Sequence, residues 1–110
     1  MNKVLDAEVL GMLIEAIGEN AAREVIALFL EECRELTATM AAPGANPLAI
    51  GRAAHSLKSS AGQLGAAALS EAALAVETAA STGAPELPQL IAALSACAST
   101  TREALAVRLA

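Results

Sequence analysis

An all-α fold is predicted by three features of the sequence. More than a quarter of the 110 residues are Ala, aromatic residues make up 1% with Phe29 alone, and apolar residues recur with a period near 3.6 almost throughout. Ala favours helices, while the β-branched and aromatic residues that favour strands are scarce. Gly, Pro and Asn divide the chain into five helical segments with short junctions, which suits antiparallel neighbours. The expected architecture is an antiparallel up-and-down four-helix bundle with an additional short N-terminal helix packed at one end.

The first helix is expected from Asp6 to Ile17, with Asp6 as N-cap, Val9, Leu10, Leu13 and Ile17 on one side and Gly18 just past its end. Asn20 is the expected cap of a second helix reaching Met40, whose apolar stripe is Ala22, Ile26, Phe29, Cys33, Leu36 and Met40. Its opposite face carries Glu24, Glu31, Glu32, Arg34 and Glu35 and is expected in water. In the segment Pro43-Gly44-Ala45-Asn46-Pro47, Asn46 caps a third helix and Pro47 takes its first position, where the missing N–H costs nothing. That helix runs to Leu64 and stops at Gly65, a residue suited to a left-handed turn. The fourth is expected from Ala67 to Ser81, before Gly83, with no polar cap at its start. The fifth runs from Pro88 to Arg108 with Leu87, Leu90, Leu94, Ala98, Thr101 and Leu105 as its stripe.

Composition removes several function classes. Seven Lys/Arg against 12 Asp/Glu leave a net charge of −5, so the chain lacks both the basic face and the stacking aromatics of nucleic-acid binding. No uninterrupted apolar run approaches the ~18 residues of a membrane span, and acidic residues at Asp6, Glu8 and Glu15 break any signal-peptide centre; a cytoplasmic location is expected. Cys33 and Cys97 form no CxxC pattern and sit among apolar residues, so both are expected as buried thiols.

The third helix carries the chemistry. At about 100° per residue, Ile50, Ala54, Leu57, Ala61 and Leu64 share its core face, and His55 points roughly 140° away from it. Gly51, Lys58, Ser59 and Gly62 share the exposed flank with His55, the only His in the chain. Two Gly inside a helix cost roughly 1 kcal/mol each relative to Ala, and close approach by another molecule would account for them. Lys58 lies one turn after His55, within reach of an anionic group on the imidazole. A metal site wants several converging ligands, a nucleophilic triad wants an acid and an oxyanion hole, and a phosphate loop wants GxxxxGK[ST]; none is evident.

The string Ala54-His55-Ser56-Leu57-Lys58-Ser59-Ser60-Ala61-Gly62-Gln63-Leu64-Gly65 resembles the signature of histidine-containing phosphotransfer (HPt) domains, HxLKGSxxxxG followed by a Leu and a Leu-Glu pair. His55, Leu57, Lys58, Ser60, Gly65 and Leu69 match, and Val76-Glu77 stands where Leu-Glu is usual. Ser59 replaces the usual Gly, and Asn46 stands near where an Asp often precedes the active helix. The resemblance implies one HPt domain over residues 1–110, relaying phosphoryl groups between Asp of response-regulator receiver domains and His55.

By the same resemblance, Nε2 of His55 is the phosphoacceptor, Lys58 offsets the phosphoryl charge, and Glu77 accepts a hydrogen bond from Nδ1–H. Gly51, Arg52, Ser59, Gly62, Gln63, Ser70 and Leu74 are the candidate partner-binding residues. The implied protein is a monomeric phosphocarrier with no ATP-dependent kinase activity and no bound cofactor, Mg²⁺ coming with the receiver. Its implied partners are receiver domains and a hybrid sensor histidine kinase, with no nucleic acid and no membrane. The alternatives are an HPt-like adaptor that binds a kinase or receiver without carrying phosphate, and a phosphatase.

Overall fold

The computed structural model describes residues 3–109, whose regular structure is entirely helical, with no strand among them. Its helices are α1 (Ala7–Ile17), α2 (Glu19–Ala41), α3 (Pro47–Gln63), α4 (Ala67–Thr82) and α5 (Leu87–Ala106), the last followed by a 3₁₀ turn at Val107–Leu109. The expected fifth helix to Arg108 therefore ends in a tightened turn, and Arg23 of α2 donates to the Leu109 carbonyl there at 2.6 Å.

The ends of the helices follow their local chemistry. Asp6 accepts from the Glu8 N–H at 3.0 Å, and Asn46 accepts from the Ala49 N–H at 2.8 Å, each filling a donor that the first helical turn leaves open. Asn20 does not cap α2. Gly18, at φ +85°, turns the chain in one residue: its N–H closes α1 on the Ile14 carbonyl, and its own carbonyl takes the first α2 bond from Ala22. Asn20 is thereby inside the first turn.

The uncapped start of α4 is completed from a distance. The Ala68 N–H donates to the Lys3 carbonyl at 2.9 Å, and the Asp6 N–H donates to the Gly65 carbonyl at 2.8 Å. The segment leading into α1 is thus laced to the α3–α4 turn. Gly65 permits this: it sits at φ +76°, and a Cβ there would lie 2.9 Å from both the Asp6 carbonyl oxygen and Val9 Cβ. A side chain would be strained by its backbone and blocked by α1.

Helix α3 packs most extensively on α4, α4 on α5, and α2 on both α3 and α5, while α1 rests on α2. The shared core contains Ile26, Phe29, Met40, Leu57, Leu69 and Leu94. The core face expected of α3 is observed, since Ile50, Ala54, Leu57, Ala61 and Leu64 are all buried. On α5, Leu94, Ala98, Thr101 and Leu105 are buried and Leu87 and Leu90 half-buried; the buried Thr101 hydroxyl donates a hydrogen bond to the Cys97 carbonyl.

One expectation is corrected. Cys33 is buried but Cys97 is only half-buried, and both are free; Cys97 lies one residue before Ala98 of the α5 stripe and so sits at the edge of the core. Burial pushes the Cys33 thiol pKa up. The segment Leu87–Leu109 is also long and apolar enough, by length and composition, to cross a membrane. Ala raises mean hydropathy without adding much side chain, which a search for uninterrupted runs overlooks.

Candidate functional site

Helix α3 holds His55 on its outer face, with 61% of the side chain exposed. The two helices that meet here, α3 and α4, bury more alanines than bulky residues. Ala53, Ala54 and Ala61 are buried on α3, as are Ala73, Ala79 and Ala80 on α4. Small contacts allow close helix approach, which brings the short Glu77 side chain of α4 within reach of α3.

Glu77 joins two residues of α3. Its Oε2 lies 2.7 Å from His55 Nδ1, and its Oε1 accepts from Lys58 Nζ, also at 2.7 Å. The hydrogen bonds from Lys58 and then His55 hold the Glu77 carboxyl below its ordinary pKa, against a smaller opposing effect of burial. An ionised carboxylate accepts only, so Nδ1 carries the ring proton and donates. In the neutral ring, Nε2 is then the nitrogen with a free lone pair. The arrangement presents a nucleophilic imidazole nitrogen to solvent, with its tautomer set from behind.

The remaining expected site residues divide into groups. Gly51 and Arg52 line an open groove of about 770 Å³ with His55, Glu77 and Leu48. Gly62, Ser70 and Leu74 line a smaller cleft of about 320 Å³ beside Lys58. Ser59 is exposed, and Gln63 is exposed on the side toward α2, beside Val25 and Leu28 rather than Glu77. The Ser70 hydroxyl is turned inward and donates to the Lys58 carbonyl at 3.0 Å.

A Cβ at Gly51 would meet Ala80 at 3.8 Å, and one at Gly62 would meet Ser70 Oγ at 3.7 Å. Both are ordinary contacts, so nothing within the chain requires glycine at either place. Sequence reasoning missed Leu48, which is 64% exposed on the rim of the His55 groove. Its position two turns before His55 on the same face was the available signal. Among the described residues, no three His, Cys, Asp or Glu side chains converge as metal ligands would.

A helical bundle that presents one exposed imidazole, its Nδ1 held by a carboxylate, has the arrangement expected of a histidine phosphotransfer protein. The Hpt domain family model matches residues 24–105, and the chain belongs to that family. Its function is histidine phosphotransfer in phosphorelays, where Hpt proteins work with response regulators and histidine kinases. The fold is similar to that of histidine-containing phosphotransfer protein B (HptB) from Pseudomonas aeruginosa PAO1, with a TM-score of 0.90 at 22% identity over 99% of this chain and 96% of that one. No curated protein matches the chain significantly.

Proposed function

We propose that Nε2 of His55 accepts a phosphoryl group from the phospho-Asp of one receiver domain and passes it to the Asp of another. The observation that carries this reading is the 2.7 Å contact between His55 Nδ1 and Glu77. In the forward step the Nε2 lone pair attacks phosphorus, the P–O bond to the receiver aspartate breaks, and the aspartate leaves as carboxylate. The proton on Nδ1 stays where it is, the ring becomes cationic, and the Glu77 carboxylate faces that charge. The reverse step restores the neutral ring without moving a proton.

Mg²⁺ would enter with the receiver and neutralise charge on its acyl phosphate. The chain itself is a carrier without ATP-dependent kinase activity and binds no cofactor of its own. Its 110 residues form one HPt domain, an antiparallel up-and-down bundle of α2 to α5 with α1 across one end. It acts as a soluble cytoplasmic monomer that docks receivers and a hybrid sensor kinase around His55. The exposed residues Leu48, Ser59 and Leu74, and the side-chain-free surface at Gly51 and Gly62, support docking on this face.

The test is incubation with a phosphorylated receiver domain and Mg²⁺, read on a gel that preserves phosphohistidine. Acid-labile label on the wild type and none on His55→Gln, with both equally helical by circular dichroism, is expected. Binding of several competent receivers without label would replace this reading by that of an adaptor.

A further inference from the structure

Lys58 is the cation that the signature places beside the phosphoryl group, yet its ammonium is taken. Nζ lies 2.7 Å from Glu77 Oε1, and Glu77 is on the α4 side of the ring, where Nδ1 points. Nε2 is on the ring edge away from Glu77. Viewed down α3, Lys58 falls roughly 60° from His55 on the side of α4, and Arg52 roughly 60° on the other side, each one turn away. Arg52 is exposed, lines the same groove as His55, and makes no hydrogen bond or ion pair among the described residues.

Charge gives that position a use. A phosphoryl group on Nε2 brings close to two negative charges, and the cationic ring it creates offsets one. Glu77 and Lys58 cancel each other, and Arg52, one turn before His55 and lining the same groove, is an exposed cation available to meet the remaining negative charge. We infer that Arg52 is a phosphoryl-binding residue, its guanidinium taking the phosphoryl oxygens of phospho-His55 while Lys58 stays with Glu77. The planar guanidinium can reach two such oxygens at once, which an ammonium cannot. This assignment rests on His55 Nε2 as the carrier atom.

The equilibrium partition of phosphoryl between one receiver and His55 tests it, because that constant depends on the free end states and not on the docked complex. A residue that only docks the receiver changes the rates in both directions and leaves the partition alone. Arg52→Ala is expected to move the partition toward the receiver by about three- to tenfold, and Arg52→Lys to recover part of that shift. In ³¹P NMR titration of the phosphorylated proteins, Arg52→Ala should raise the pH at which the phosphoryl group takes up its proton.

An unchanged partition with slower transfer both ways would make Arg52 a docking residue and overturn the inference. A shift produced by Lys58→Ala and not by Arg52→Ala would overturn it in favour of Lys58 leaving Glu77. Failure of the wild type to take label from competent receivers would instead bring down the carrier reading, and this inference with it.

Discussion

The α3–α4 seam and the α2–α5 side of the molecule solve the packing problem differently. Along α3 and α4 six of the buried residues are Ala, at 53, 54, 61, 73, 79 and 80. Along α2 and α5 the buried residues include Ile26, Phe29, Met40, Leu94 and Leu105. Bulky side chains remove more apolar surface from water and so carry most of the hydrophobic stabilisation. Small ones contribute less per residue but let two helix backbones come close. Both sides bury bulky residues, with Ile50, Leu57, Leu69 and Val76 on α3 and α4, but the alanines are concentrated where a carboxylate must meet an imidazole nitrogen at 2.7 Å.

Breaking the bulky side should cost the most stability and disturb the site least. Phe29→Ala removes a ring that is 4% exposed, and a loss of about 3–5 kcal/mol is expected. Urea denaturation measures it. In the folded fraction, the ¹⁵N signature of the Nδ1–H tautomer of His55 should be unchanged, and loss of that tautomer would show the two sides to be coupled.

Overfilling the small side should do the reverse. Ala73→Leu places a large side chain in the α3–α4 seam, where Ala73 is fully buried, at an expected cost of about 1–3 kcal/mol. The smaller stability loss should come with a larger functional one, as α4 is pushed outward and Glu77 loses His55. A variant with normal phosphotransfer and an intact Nδ1–H signal would mean that close approach is not what positions Glu77.

The smallest effect concerns pH. The folded-state pKa of Glu77 lies below its ordinary value of 4.5, so its contribution to stability is complete above that value and is lost as pH falls through the lower folded one. Because Glu77 is only partly covered, the contribution is small. Comparing thermal midpoints of wild type and Glu77→Gln, the gap should narrow progressively below pH 4.5. A constant gap down to pH 2 would separate the ion pairs from stability.

Much of this was legible before any coordinates. Asn46-Pro47 marked the start of α3, Gly83 ended α4, and periodicity alone set Leu57 inward and His55 outward, because these depend only on residues within one or two turns. Asn20 was misread as a cap because Gly18 does two jobs in a single residue, and nothing in local propensity distinguishes that from a longer junction. The Lys3 carbonyl at the start of α4 was not legible, because a backbone acceptor carries no side-chain signature. Ser70 was assigned outward to a partner, while its hydroxyl is spent on the Lys58 carbonyl across the seam.

The sequence by itself determined the helices, their order, the buried stripes and the presentation of His55 on an outer face, since each follows from a 3.6-residue period and from capping chemistry. That Glu77 would lie near His55 followed from likeness to a family. Only the tertiary structure decided that Glu77 spans both His55 and Lys58 and that Arg52 has no hydrogen-bond or ion-pair partner among the described residues. Periodicity orients a side chain about its own helix axis, whereas a contact between helices also needs their separation, rotation and axial offset. Those are set collectively, here by how closely a row of alanines allows α3 and α4 to approach.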